Sequence, residues 1–124
     1  MKPLIIEATH DTPRVLFDKD SSKFEITGVS LPPNIFDFYN PLIDWLSRYC
    51  KNPNKVTHLK LKFEYLNTSS TKMILNMMSL LELVSTKGGE AMVFWYYDSG
   101  DMEMREMGEE FASNCSIPFN FVSK

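Results

Sequence analysis

The sequence predicts a single α/β domain: a mixed sheet of about six strands with helices mainly on one face, in the order βββ-α-β-α-β-α-β. Three observations carry that prediction. The chain has 124 residues, 44% apolar and 13% aromatic, enough for one buried core and too aromatic for intrinsic disorder. Its second half alternates strand-like with helix-like segments, the pattern of parallel strands joined by right-handed crossovers. Finally, Val56 to Leu66 sets the apolar row Leu59, Leu61, Phe63 and Tyr65 against the charged row His58, Lys60, Lys62 and Glu64. One face of the sheet therefore meets water, unlike a doubly wound sheet covered on both sides.

The elements follow in order. Leu4 to Ala8 reads as a strand, broken at Thr12-Pro13 because proline cannot donate to a ladder. Arg14 to Asp18 and Lys23 to Thr27 form a hairpin across the turn residues Asp18-Lys19-Asp20-Ser21-Ser22. After Pro32-Pro33-Asn34, apolar residues from Ile35 to Cys50 recur at spacings of three and four and paint a helical stripe. Pro41 disturbs that helix, or else Asn40 caps a shorter one. The strand Val56 to Leu66 leads through Asn67-Thr68-Ser69-Ser70-Thr71 into a helix that Gly88-Gly89 ends near Thr86. Ala91 to Tyr97 is apolar throughout and reads as a central strand. Asp98-Ser99-Gly100-Asp101 caps a third helix from Met102 to about Asn114, and Phe119 to Val122 closes the chain as a short strand.

Charge and cysteine content exclude several functions. A net charge of −3 gives no basic footprint for nucleic acid or an anionic membrane. Leu4-Ile5-Ile6 is stopped by Glu7, too short for a signal or a membrane span. Cys50 and Cys115 cannot form a disulfide scaffold and read as free thiols of a cytoplasmic protein. Cys50 lies on the apolar stripe of the first helix, while His10 and His58 are isolated. An enzyme would need a concealed Cys-His pair. Asp18 to Ser22 resembles the start of a calcium loop, yet Lys23 and Val29 stand where such a loop needs Gly and Glu. No metal site or cofactor is expected, and no Gly-rich phosphate loop is present.

Two features carry functional weight. In Asn67-Thr68-Ser69-Ser70-Thr71 one hydroxyl suffices to cap the helix, and four in succession exceed that need. A helix N-terminus also favours negative charge, so a phosphate attached there would be stabilised. The helix itself is apolar over a wide arc, leaving only Lys72, Asn76, Ser79, Glu82 and Thr86 as a polar stripe. That arc exceeds one sheet contact. It is read either as deep burial or as a partner surface on which Met73 and Met77 lie.

Met1 to Thr9, Asn40-Pro41-Leu42-Ile43-Asp44-Trp45-Leu46, Glu64 to Ser70, Trp95-Tyr96-Tyr97 and Pro118-Phe119-Asn120-Phe121 occur in an order that resembles the SiaC family of bacterial regulatory phosphoproteins. The resemblance spans essentially the whole chain. It implies one STAS-like domain over residues 1–124, similar to anti-sigma factor antagonists, acting as a non-enzymatic switch. It further implies phosphorylation by a dedicated Ser/Thr protein kinase, removal of the phosphate by a PP2C-type phosphatase, and binding of the unphosphorylated form to a diguanylate cyclase. The family's phosphoacceptor falls on Thr68, with Ser69 and Ser70 as rivals and Asn67, Thr71 and Lys72 completing the turn. Asn67 stands where anti-sigma factor antagonists carry Asp, which leaves those rivals open. The other readings are a STAS-like domain binding a small ligand at the same helix terminus, and the Cys-His enzyme.

Overall fold

Capping chemistry sets the limits of the elements. The structure, a computed structural model, describes Met1–Lys124. The strands are β1 (Leu4–Ile6), β2 (Arg14–Asp18), β3 (Lys23–Ser30), β4 (Val56–Leu66), β5 (Glu90–Tyr97) and β6 (Phe119–Ser123). The helices are α1 (Ile35–Tyr49), α2 (Thr68–Thr86) and α3 (Met102–Ser113). Each helix opens on a side-chain oxygen that accepts free backbone N–H groups. Asn34 takes those of Phe36 and Asp37, Asn67 that of Ser70, and Asp101 that of Met104. Each such cap is worth about 1 kcal/mol. At the far end of α2, Gly88 adopts φ +83°. Its N–H donates to the Ser85 carbonyl and that of Gly89 to the Val84 carbonyl, the paired bonds that satisfy a helix terminus and require a residue free to turn left-handed.

The order of elements is the expected one, and the differences are local. α1 runs unbroken through the exposed Pro41. Asn40 therefore caps nothing. Proline removes one intrahelical bond, but burial of Tyr39, Leu42, Trp45, Leu46 and Tyr49 holds the helix together. β3 extends three residues beyond the expected Thr27, to Ser30.

The six strands lie side by side in chain order, β1-β2-β3-β4-β5-β6. The first two pairings are antiparallel and the remaining three parallel. Every crossover steps the same way, so right-handed connections lay all three helices on one face. Burial agrees: Leu59, Leu61, Val93 and Trp95 are covered, while His58 and Glu64 are exposed and Lys60 and Lys62 half-exposed on the open face. There Lys62 sits 4.7 Å above the Tyr96 ring.

Between sheet and helices lies one continuous apolar core. Trp45 stacks on Tyr49 at 5.4 Å and meets Phe17 at the same distance, while Phe24 touches Tyr49 at 4.9 Å. These contacts fasten α1 to β2 and β3, each aromatic pair adding about 0.5–1.5 kcal/mol beyond its buried area. α2 crosses between β4 and β5, with α1 and α3 to either side. Most of its wide apolar arc is covered by the sheet and those neighbours, with Leu83 exposed and Leu75 and Leu80 half-buried. Met73 and Met77, expected as a partner surface, are 6% and 0% exposed and belong to the core.

α3 is held by Trp95, whose indole N–H donates to the Met104 carbonyl at 2.9 Å. A Cβ on Gly108 would lie 2.5 Å from the Trp95 ring. Gly108→Ala is therefore expected to destabilise the domain by about 2 kcal/mol, overpacking outweighing the gain in helix propensity. A urea midpoint unchanged from that of the parent would show that Trp95 can move aside.

Candidate functional site

The site begins with an irregularity in the sheet. β3 and β4 pair in step up to Gly28 with Phe63, after which Val29 pairs with Tyr65 and Ser30 with Leu66. β4 thus carries one extra residue, Glu64, and Gly28 adopts φ +122° beside it. Such a bulge turns over every side chain beyond it. Tyr65, expected to face inward with Phe63, is instead 53% exposed, and Leu66 takes the buried position.

The bulge brings Ser30 beneath the start of α2. The Ser30 carbonyl accepts the Asn67 N–H at 3.1 Å and the Ser70 hydroxyl at 3.2 Å. The Ser30 hydroxyl lies 2.8 Å from that of Ser70 and 2.6 Å from the Tyr39 phenol. All three side chains are fully buried. Burial raises the Tyr39 pKa, against the opposing pull of the serine hydrogen bonds. The phenol therefore stays neutral, tying β3, α1 and α2 into one rigid corner.

This corner sorts the hydroxyls of the turn. Ser70, a rival acceptor in the sequence reading, is sealed inside and fully bonded. The Thr71 hydroxyl donates to the Thr68 carbonyl at 2.6 Å. Ser69 is exposed, and its hydroxyl donates to Asn67 Oδ1 at 3.1 Å. Thr68 is exposed, and its hydroxyl makes no hydrogen bond within the protein. Asn67 Oδ1 is occupied by the Ser70 N–H at 2.9 Å. As the first helical residues, Thr68 and Ser69 leave their backbone N–H groups without intrahelical acceptors. Lys72, exposed four residues along the helix, has no ion-pair partner.

All three helices start at this end of the sheet, where the parallel strands finish. Large apolar side chains stand out into water there: Leu31 41%, Phe36 60%, Tyr65 53% and Met102 54% exposed. Exposed apolar side chains at this end are therefore Leu31, Phe36, Tyr65 and Met102, and not Met73 and Met77. Phe36 and Met102 each sit in the first turn of an amphipathic helix and off its buried stripe, a signal available in the sequence. Tyr65 had none, because its exposure depends on the bulge.

The thiols stand apart from any catalytic grouping. Cys50 is buried in the core, and burial pushes its pKa up to about 11. Cys115 donates to the Ile117 carbonyl, and burial raises its pKa as well. His58 stands on the open face of the sheet and His10 is 92% exposed beside Asp11. No thiol pairs with a histidine.

A sheet covered by helices on one face, with the free Thr68 hydroxyl opening α2 and no thiol paired to a histidine, defines a small α/β domain. The chain belongs to the SiaC family: the family model, SiaC family regulatory phosphoprotein, matches residues 6–124. It is 33% identical over 119 residues to an uncharacterised protein of Pseudomonas aeruginosa strain UCBPP-PA14, covering 96% of this chain and 94% of that one. Apo-SiaC from Pseudomonas aeruginosa superposes with a TM-score of 0.90 at 32% identity, over 98% of this chain and 99% of its own. SiaC from the same organism in complex with the diguanylate cyclase SiaD, whose activator it is, gives a TM-score of 0.91 at 31% identity, over 98% and 99% of the two chains. No helix of the present chain is long and apolar enough to cross a membrane.

Proposed function

We propose that this protein is a non-enzymatic, cytoplasmic switch whose unphosphorylated form binds and activates a diguanylate cyclase. Thr68 is its phosphoacceptor, modified by a Ser/Thr protein kinase and restored by a PP2C-type phosphatase. The observation that carries the reading is the Thr68 hydroxyl: exposed, free of internal hydrogen bonds, and placed at a helix terminus whose N–H groups suit an anion. Activation of a cyclase by a relative of the same fold supports the choice of partner. Buried or hydrogen-bonded thiols with raised pKa values, remote from both histidines, support a binding role over catalysis.

Docking is assigned to the end of the sheet that carries the exposed Leu31, Phe36, Tyr65 and Met102 and where Thr68 opens α2. A phosphate there would have to be stripped of water before an apolar partner could close over it. The test is cyclase activity from the native host, assayed with the purified protein before and after kinase treatment. Activation by the unmodified form alone supports the proposal; equal activation by both forms overturns it.

A further inference from the structure

α1 packs directly against α2, whereas α3 stands off from it and leaves a groove of about 330 Å³. Its floor is apolar: Leu75 from α2, with Met107 and Phe111 from α3. Its wall is the carboxylate row Glu103, Glu106 and Glu110, at the helical spacing that stacks side chains on one face. None of the three is ion-paired, and no basic side chain lines the groove. Arg105, the cation on α3, is engaged elsewhere. It reaches Glu109, donates to the Tyr97 hydroxyl at 2.6 Å and lies over the Phe121 ring. The result is an apolar channel with one strongly negative rim and no cation in its lining.

We infer that this groove docks an amphipathic helix of a partner protein, with apolar side chains toward Leu75, Met107 and Phe111 and basic side chains along the flank facing the three glutamates. The groove suits a row of side chains from a helix lying along it, the helix-in-groove mode of recognition. Charge complementarity fixes the direction of the flank and excludes an acidic helix. The lining of the groove begins at Thr71, one turn along α2 from Thr68, and does not include Thr68. The inference rests on the reading of the chain as a binding module but not on the identity of the phosphoacceptor.

The probe is a synthetic helix of about five turns, leucines on one face and lysines along both flanks, titrated into the isotopically labelled protein by NMR. A twin peptide carries glutamates in place of the lysines. The lysine peptide is expected to move the amide signals of Leu75, Met107 and Phe111, and the twin to leave them unmoved. A double variant, Glu106→Lys with Glu110→Lys, should weaken the lysine peptide at least about tenfold and admit the glutamate twin. Both substitutions are at exposed positions and leave the fold intact. Equal binding of the two peptides, signal changes confined to other surfaces, or no binding by either would overturn the assignment. Any of these results leaves the phosphorylation switch standing, since that is decided separately by cyclase activity and kinase treatment.

Discussion

Met77→Glu is expected to abolish the folded state near neutral pH. Met77 is fully buried beneath α2, among apolar side chains only. An unpaired carboxylate there loses its hydration and gains no partner, at a cost of several kcal/mol. A domain of ordinary stability has only about 5–15 kcal/mol to lose. The sign of the pH dependence follows. Burial raises the folded pKa of the new carboxyl above its unfolded value, so the variant gains stability as pH falls through the raised value and loses it as pH rises. Met77→Leu, which conserves volume, should cost less than about 1.5 kcal/mol. Met102→Glu, at a residue 54% exposed, should stay within about 0.5 kcal/mol of the parent. Circular dichroism and urea titration across pH read all three. A cooperative, parent-like transition for Met77→Glu at neutral pH would show that α2 can turn this face to water.

Phosphorylation of Thr68 is expected to lower affinity for the cyclase by about a hundredfold while leaving the domain folded, equivalent to ~3 kcal/mol at tenfold per ~1.4 kcal/mol. The fold survives because the new charge, about −1.5 to −2, meets the free N–H groups and positive end of α2. Lys72, four residues on and unpaired, supplies a counter-charge on the same helix face. Binding suffers because a hydrated dianion at the end of the sheet that also carries Leu31, Phe36, Tyr65 and Met102 must be stripped of water before a partner can close over that end. Thr68→Ala should bind like the unmodified parent and resist the kinase. Ser69→Ala should remain a kinase substrate. Intact mass after kinase treatment, followed by calorimetric titration with the cyclase, separates these outcomes. A phosphate found on Ser69 alone would move the acceptor by one residue, and an unaltered affinity would end the switch.

Local patterns made most of the architecture legible. Alternation along β4, the three-and-four spacing of α1 and the cap within Asp98–Asp101 are patterns of a few neighbouring residues, and the fold keeps them; the caps of α1 and α2 fall on Asn34 and Asn67 instead of Asn40 and a turn hydroxyl. The misplacements share another origin. The wide apolar arc of α2 is the same pattern whether it faces a partner or is shared among the sheet, α1 and α3, so Met73 and Met77 could not be assigned from it. Tyr65 continued a period of two until one extra residue in β4 reversed it, a consequence of pairing with β3 rather than of β4 alone. The capping turn was visible, but the ranking of its hydroxyls was not. That ranking depends on Ser30 and Tyr39, which approach Ser70 from far along the chain.

The strand sequence across the sheet, identical to the sequence along the chain, has a consequence for biogenesis. No strand must be threaded between two that are already paired. As the polypeptide leaves the ribosome, each crossover delivers the next strand to a free border, and the growing sheet extends in one direction only. Synthesis and assembly can advance together from the Leu4 border to the Phe119 border.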